Sequence, residues 1–312
     1  MSKTNMSHTK KKSRQDNITT IATWNLNGRL KEPIRQEELF ADMRWKRVDI
    51  AALQETMWNQ DATITSEDGA MIINFKINEE GYRGLAYYLS PQWVARLQST
   101  RVVNSRTVVA RFKAFNSEKA DLVMINTYGP TMMRTKDNPE ITEAYYQNLS
   151  NTYNQEKKGM VSTTILGDLN SKIGKQQSDD VTYMGQYGKG IRNENGDALR
   201  SLLQAHGLYL VNTHFKHRDR NVATWHKERI HNQIDYIVVP RRMVGMFRDA
   251  KSVTMLRYRT DHSLVMGEVK FTELYKMSTL SRGKHRMTAR RDASQLSQAE
   301  VKKNTKKQCA GS

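Results

Sequence analysis

The sequence predicts an α/β domain of two packed sheets with helices outside, and three observations carry that prediction. Short β-rich runs recur throughout residues 21–271. Several follow one another with no helix-forming stretch between them. Some are continuously apolar and others alternate, the marks of buried and half-exposed strands. Strict βαβ alternation would build one parallel sheet; adjacent strands with fewer helices fit two sheets packed face to face.

In order, the runs are IATWN (21–25), DIAAL (49–53), AMIINF (70–75), GLAYYL (84–89), WVARL (93–97) and TVVARF (107–112). DLVMINTY (121–128), STTIL (162–166), LYLVNT (208–213), QIDYIVV (233–239) and SLVMGEVKF (263–271) follow. Pro33 suits a first helical position and opens a mixed stretch reaching Arg47. A second helix is expected over 139–157. A third, NENGDALRSLLQAHG, sets Leu199, Leu202 and Leu203 on one face and has Gly207 as its stop. No internal repeat is present. The domain is expected to span 18–271, between basic, disordered flanks at 1–17 and 272–312; a short helix around 294–303 is compatible with the second flank.

Charge and cysteine usage narrow the function classes. The formal charge is +18, of which residues 1–17 carry +4 and residues 272–312 carry +7. Basic flanks of this kind attract polyanions by releasing condensed counterions, and an anionic membrane surface would attract them too. No apolar run is long enough for a transmembrane helix, and the N-terminus lacks the apolar core of a secretory leader. The single cysteine, Cys309, excludes an internal disulfide and a cysteine-rich zinc site, and favours an intracellular setting.

Polar groups break the strand pattern in a consistent place. Asn25, Glu55, Asp168, Asn170, Asp235, Asp261 and His262 lie at, within or just after apolar strands. Carboxylates there are costly unless they meet a cation or hydrogen bonds. One such acid is ordinarily a turn or helix cap; seven groups of related chemistry point to a site. Hard oxygen donors suit Mg²⁺ or Mn²⁺, and a lone His among acids suits proton handling or phosphate stabilisation. In ILGDLNS (165–171) Asp168 and Asn170 share one side of an extended chain, where a carboxylate can take a proton from water and an amide can orient it. HFKH (214–217), with His226 and His231, lacks the cysteines or HExxH of a zinc site and reads as a basic surface. GQYGKG (185–190) lacks the GKS or GKT ending of a P-loop and reads as a plain loop. The sixteen methionines read as core filler.

WNLNG (24–28), LQET (53–56), NTYGP (126–130), GDLN (167–170), QIDYI (233–237) and TDH (260–262) occur in the order of the endonuclease/exonuclease/phosphatase superfamily, which the chain resembles across nearly the whole domain. YGKGIRNENGDAL and ATWHKERIHNQIDYIVVPRR resemble the endonuclease of non-LTR retrotransposons and the related craniofacial development protein 2-like proteins. The resemblance implies a four-layer α/β sandwich of the DNase I-like kind, two mixed sheets flanked by helices, with the site at one end. It implies Mg²⁺-dependent hydrolysis of DNA, with Mn²⁺ as a substitute, leaving 5′-phosphate and 3′-hydroxyl ends. No other small-molecule cofactor is expected.

The resemblance also implies roles. Glu55 would ligate the metal, with Asn25 supporting it and Asp261 nearby. Asp168 would align or deprotonate the attacking water, Asn170 and Tyr128 would contact the phosphate, and His262, oriented by Asp235, would stabilise developing charge. Thr224 and Trp225 would lie beside the bound strand. Asn27 stands where abasic-site repair relatives carry Asp, which favours the retrotransposon type and weakens a repair reading. Such elements continue into a reverse transcriptase, so a longer parent polypeptide, a truncated copy or a domesticated domain are the expected origins. Nuclear location is expected from the substrate and from KKKSR (10–14). Two other readings stand beside this one: a phosphodiesterase of the same fold acting on abasic DNA, RNA or lipid, and a non-catalytic binding module. The intact set Glu55, Asp168, Asn170 and His262 predicts an active enzyme, because a binding module needs no such set.

Overall fold

The computed structural model describes residues 18–77, 83–113, 120–131, 138–160 and 162–271. Both expected basic flanks, and the helix near 294–303, lie outside the described residues. The first strands and helices are β1 (Thr19–Asn25), α1 (Pro33–Trp45), β2 (Ile50–Gln54), β3 (Ala62–Thr65), β4 (Met71–Phe75), β5 (Leu85–Leu89) and α2 (Pro91–Val94). Next come β6 (Leu97–Asn104), β7 (Thr107–Lys113), β8 (Ala120–Tyr128), α3 (Pro139–Glu156), β9 (Ser162–Asp168) and α4 (Glu194–His206). The last are β10 (Leu208–Leu210), β11 (Trp225–Lys227), β12 (Ile230–Asn232), β13 (Asp235–Pro240), β14 (Phe247–Val253) and β15 (Leu264–Val269).

These form two mixed sheets and a small hairpin. The first sheet runs β14-β15-β1-β2-β5-β4-β3, the second β10-β13-β9-β8-β7-β6, and β11 pairs with β12. Each large sheet has one parallel pair, β1 with β2 and β8 with β9, flanked by antiparallel neighbours. On the outer face of the first sheet, Ala22, Trp24, Ala51 and Leu53 pack against Leu39, Phe40 and Met43 of α1. On the outer face of the second, Val123, Ile125 and Ile165 pack against Tyr145, Leu149 and Tyr153 of α3 and Leu199, Leu202 and Leu203 of α4. The result is the expected helix–sheet–sheet–helix order.

Period-two alternation leaves the remaining strand residues facing the opposite sheet, and polar groups cross-link that interior. Gln54 Nε2 donates to Asn126 Oδ1 at 2.8 Å, and Asn126 Nδ2 donates back to Leu53 O at 3.0 Å and Ala86 O at 2.8 Å. Tyr87 Oη reaches Met124 O at 2.8 Å. Buried amides carry a desolvation cost unless satisfied, so this network favours one relative placement of the sheets. Gln54 of LQET and Asn126 of NTYGP are thus the parts of their motifs that hold the scaffold.

The three expected helices, α1, α3 and α4, match their sequence signals closely. Pro33 and Pro139 start α1 and α3. Asn193 Oδ1 accepts from Gly196 N at the start of α4, and Gly207 ends it in the left-handed conformation at φ 60°. Among the described residues no helix is long and apolar enough to cross a membrane.

Two strand expectations need correcting, and two edge strands lie outside the expected runs. WVARL is not a strand from Trp93: Ser90-Pro91 begins a short helix, Trp93 packs edge-on against Phe112 and Phe271, and the strand starts at Leu97. LYLVNT leaves the sheet after Leu210, because Val211–Thr213 coils and Asn212 Nδ2 caps Asp235 O at 3.1 Å. The strands ATIT (62–65) and FRDAKSV (247–253) were not expected; both lie at sheet edges, where one side meets solvent and the apolar pattern is diluted.

Candidate active site

Strand register brings the motif ends together. In the second sheet Tyr128 ends β8 opposite Asp168 of β9, and Asp168 stands opposite Asp235 of β13. In the first sheet Asn25 ends β1 opposite Gln54, so Glu55 emerges beside it. His262 precedes β15 and bridges to Trp225 of the hairpin. Parallel pairs β1/β2 and β8/β9 therefore terminate at the same end of the sandwich, and their first polar residues meet in one cavity of about 360 Å³. Glu55, Asp168, Asn170, Tyr128 and His262 all line it, as do Asn25, Asn27, Asp261 and Trp225. A larger hollow of about 580 Å³ between α3 and α4, lined by residues such as Tyr146, Ser150 and Ala198, shares none of them.

Asn25 links the sheets at this end. Its Nδ2 donates to Glu55 Oε1 at 3.0 Å and to Asp168 Oδ2 at 2.9 Å, while its Oδ1 accepts from Asn27 N at 2.9 Å. That last bond fixes which end of the amide faces the carboxylates. Glu55 also accepts from Tyr128 Oη at 2.6 Å and from Arg83 Nη1 at 2.5 Å. Asp168 Oδ1 accepts from Asn170 N at 2.9 Å, and Asn170 Nδ2 donates to Gly129 O at 3.0 Å. Gly129 leaves no room for a side chain, since a Cβ there would strike Leu169 O. That close approach seats the GDLN turn against the NTYGP turn.

His262 is held from several sides. Its Nδ1 lies 3.0 Å from Asp235 Oδ2 and its Nε2 lies 3.8 Å from Asp168 Oδ2. Trp24 Nε1 donates to the His262 carbonyl at 3.0 Å, and His262 N donates to Thr260 Oγ1 at 3.1 Å. Burial pushes the Asp168 carboxyl up, and the nearby Asp235 charge adds to this against the opposing pull of His262, bringing it to about 7. Burial alone would lower His262, but Asp235, through charge and hydrogen bond, and then Asp168 and Asp261 outweigh it and raise the imidazole to about 9. Near neutral pH the site therefore pairs a protonated His262 with an Asp168 that can hold or release a proton. Burial also pushes the Tyr128 phenol up, so it remains a donor.

Three cavity residues hold a backbone conformation that L side chains rarely adopt: Asn27 at φ 48°, Glu55 at φ 50° and Asn170 at φ 47°. Asn tolerates this region; for Glu55 the cost is about 1–2 kcal/mol. Strain at Glu55 is what a site retains when side-chain direction matters more than local stability.

Asp168, Asp235 and His262 each offer a ligand atom within 4.8 Å of one another, the one such group among the described residues. In that group His262 Nδ1 and Asp235 already satisfy each other. Glu55 offers a different donor set: a nearly buried carboxylate facing the cavity, with Asp168 reached across Asn25. Hard oxygen donors of that kind fit Mg²⁺ or Mn²⁺ better than the His-containing group does. Asp261 sits in the cavity lining, but its oxygens accept from Asn27 Nδ2 at 3.0 Å and Trp225 Nε1 at 2.9 Å.

Thr224 does not line the cavity. It is fully buried, and its Oγ1 accepts from Ile234 N at 3.0 Å and Asp235 N at 3.1 Å, so it positions Asp235 from beneath. The sequence reading also missed Arg83, Lys172 and Asn193, all in the lining. One signal was available, since Lys172 follows GDLNS directly; the place of Arg83 depends on the strand register that sets Leu85 opposite Gln54.

No family model matches the chain. Craniofacial development protein 2 of Bos taurus is 26% identical over 294 residues, covering 92% of this chain and 47% of that protein. Its counterpart in Tragulus javanicus is 26% identical over 254 residues, covering 80% and 42%. The chain thus spans just under half the length of these curated relatives. Among solved structures, the AP endonuclease LMAP from Leishmania major matches with a TM-score of 0.60 and 16% identity, covering 81% of this chain and 88% of that one. The endonuclease domain of TRAS1, a telomere-specific non-LTR retrotransposon, matches with 0.55 and 14%, covering 81% and 98%. The APE2 catalytic domain of Xenopus laevis matches with 0.57 and 18%, covering 81% and 92%. The chain has the endonuclease/exonuclease/phosphatase fold and is a distant homologue of craniofacial development protein 2.

Proposed function

We propose, with that fold as the premise, that the chain is a metal-dependent endonuclease that nicks DNA and leaves 3′-hydroxyl and 5′-phosphate ends. One observation carries the reading: Glu55, Asp168, Asn170, Tyr128 and His262, contributed by both sheets, line a single cavity, and Asp235, buried outside its lining, holds His262 from behind. Each has a task in phosphodiester hydrolysis. Asp168, raised to about 7, accepts a proton from water at its carboxylate. Asn170 keeps one amide hydrogen beyond its bond to Gly129 and can present it to a phosphate oxygen. Protonated His262 offers Nε2–H to the charge that develops on phosphate, and Asp235 holds the ring by its other nitrogen. Tyr128 Oη lies against Glu55 and orients it.

The chemistry that a divalent ion supplies, when held at Glu55, is neutralisation of phosphate charge and help to the departing oxygen. Asn25 and Asp168 are the residues beside that position.

Lys172 in the lining and the +18 charge of the chain suit a polyanionic substrate. The likeness to the TRAS1 endonuclease domain supports a retrotransposon-type nicking enzyme. In this reading residues 18–271 form the catalytic domain, the basic flanks assist DNA binding, and the protein works in the nucleus.

The test is conversion of supercoiled plasmid to the nicked form in Mg²⁺. Loss of nicking in EDTA, in Asp168→Ala and in His262→Ala supports the assignment. Intact plasmid with wild type in Mg²⁺ and Mn²⁺ alike, and an intact abasic duplex, would remove the DNA-nuclease reading.

A further inference from the structure

Among the cavity groups with no part in the chemistry above, one stands against the Glu55 carboxylate. Arg83 reaches Glu55 from outside the motif set: its Nη1 lies 2.5 Å from Glu55 Oε2. The two ends of this ion pair differ in exposure, with the Arg83 side chain 48% exposed and that of Glu55 8%. The contact is monodentate. Nη1 is the one guanidinium nitrogen with a hydrogen bond to Glu55, so most of the five N–H groups of this cavity-lining side chain are not engaged by that carboxylate.

The backbone beneath Arg83 is tied down. Met57 N donates to Arg83 O at 2.8 Å and Thr56 N to Gly84 O at 3.3 Å, so the segment lies alongside the residues that follow Glu55. Gly84 allows this approach, because it sits at φ 82° and a Cβ there would strike Thr56 Oγ1. A fixed backbone with a long, half-exposed side chain gives a guanidinium that can move while its anchor stays.

The Glu55 carboxylate is already crowded. Oε1 accepts from Asn25 and Tyr128, and Oε2 accepts from Arg83. A divalent ion ligated by Oε2 would sit within a few ångströms of a guanidinium on the same oxygen, and the two positive charges repel in a site partly shielded from water. A phosphodiester entering the cavity brings an anion whose two non-bridging oxygens match the planar guanidinium fork.

Resting on the metal-dependent reading, we propose that Arg83 and the divalent ion are alternative partners of Glu55, and that Arg83 turns from Glu55 to a phosphate oxygen of the DNA when the metal is bound. Arg83 is then both the resident counter-charge of the metal-free site and a substrate clamp in the loaded one. The exchange links metal and DNA binding: each occupant removes a reason for Arg83 to remain on Glu55.

The test needs no turnover. Mn²⁺ binding is measured by calorimetry on the full chain without DNA, for wild type, Arg83→Ala, Arg83→Lys and Glu55→Gln. Binding of a short duplex is measured by fluorescence anisotropy in Ca²⁺. Arg83→Ala should bind Mn²⁺ about tenfold more tightly than wild type, the scale on which groups touching a metal ligand act. The same variant should bind duplex several-fold more weakly, with a shallower salt dependence. Arg83→Lys should return Mn²⁺ affinity towards wild type, since a cation again contests Glu55. Unchanged or weaker Mn²⁺ binding in Arg83→Ala, with Glu55→Gln still abolishing it, overturns the exchange alone. Mn²⁺ binding that is equal in wild type and Glu55→Gln overturns the exchange and the metal reading together.

Discussion

Glu156, at the end of α3, and Asp168, at the end of β9, are both about 1% exposed, yet they keep opposite company. Glu156 is gripped by two guanidiniums: Arg101 Nη2 at 2.7 Å on one oxygen, Arg111 Nε at 2.9 Å and Nη2 at 2.7 Å on the other. Asp168 has no arginine. Its partners are an amide, a backbone N–H, a second carboxylate and a histidine that can lose its charge. An arginine does not titrate near neutral pH, so the Glu156 cluster serves one purpose, joining α3 to β6 and β7. Asp168 is left with neighbours that make its proton exchangeable. The difference separates a buried acid used for architecture from one used for chemistry.

The largest expected effect sharpens that contrast. Asp168→Ala should cut plasmid nicking by roughly 10³-fold or more, the combined scale of a lost general base and a disturbed donor set. Its melting temperature at pH 8 should hold or rise. The sign follows from the raised carboxyl: the folded state keeps a proton that the unfolded chain releases, so this group's stabilisation is present below about pH 4 and is lost as pH rises through about 7. A clear drop in melting temperature at pH 8 would place Asp168 with Glu156.

Next in size is the pH profile of kcat/KM, followed by steady-state nicking of an oligonucleotide duplex. With Asp168 required unprotonated and His262 required protonated, the profile should climb about tenfold per pH unit below the Asp168 value of about 7 and fall above the His262 value of about 9. Asp235→Asn removes the charge that holds His262 up, so the falling limb should move to lower pH. A limb that stays in place in Asp235→Asn would break the assignment of that limb to His262.

Glu156→Gln supplies the reverse case. It should cost about 2 kcal/mol in urea unfolding, a value reduced because its arginines can rehydrate from their half-exposed positions. Nicking per folded molecule should stay within about twofold of wild type, as expected of a change that leaves the transition state untouched. A large loss of nicking at unchanged stability would invert the comparison. The smallest effect belongs to Thr224→Val, which removes the acceptor for Ile234 N and Asp235 N; about 1–2 kcal/mol is expected from thermal melts.

Much of this site was legible as residue types out of place. Asn25, Glu55, Asp168, Asn170, Asp235 and His262 each interrupt or follow an apolar run, and local sequence suffices to notice that. Thr224 was misplaced because a threonine beside a tryptophan looks alike whether its hydroxyl faces a ligand or caps two backbone N–H groups. Arg83 was overlooked because surface arginines are common, and its pairing with Glu55 depends on the antiparallel register of β2 and β5. The edge strands β3 and β14 were overlooked because their solvent side weakens the apolar pattern.

The amino-acid sequence by itself determined the three longer helices, most interior strands and the identity of most groups in the cavity, because periodicity, caps and misplaced polar residues are local properties of the chain. Only the tertiary structure decided which of those groups touch. Asn25 joins Glu55 to Asp168 because two sheets end their parallel pairs at one place, and Arg83 rather than another basic residue meets Glu55 because strand pairing brings it there. Contact between residues distant along the chain is set by register and sheet packing, and those depend on the whole fold at once.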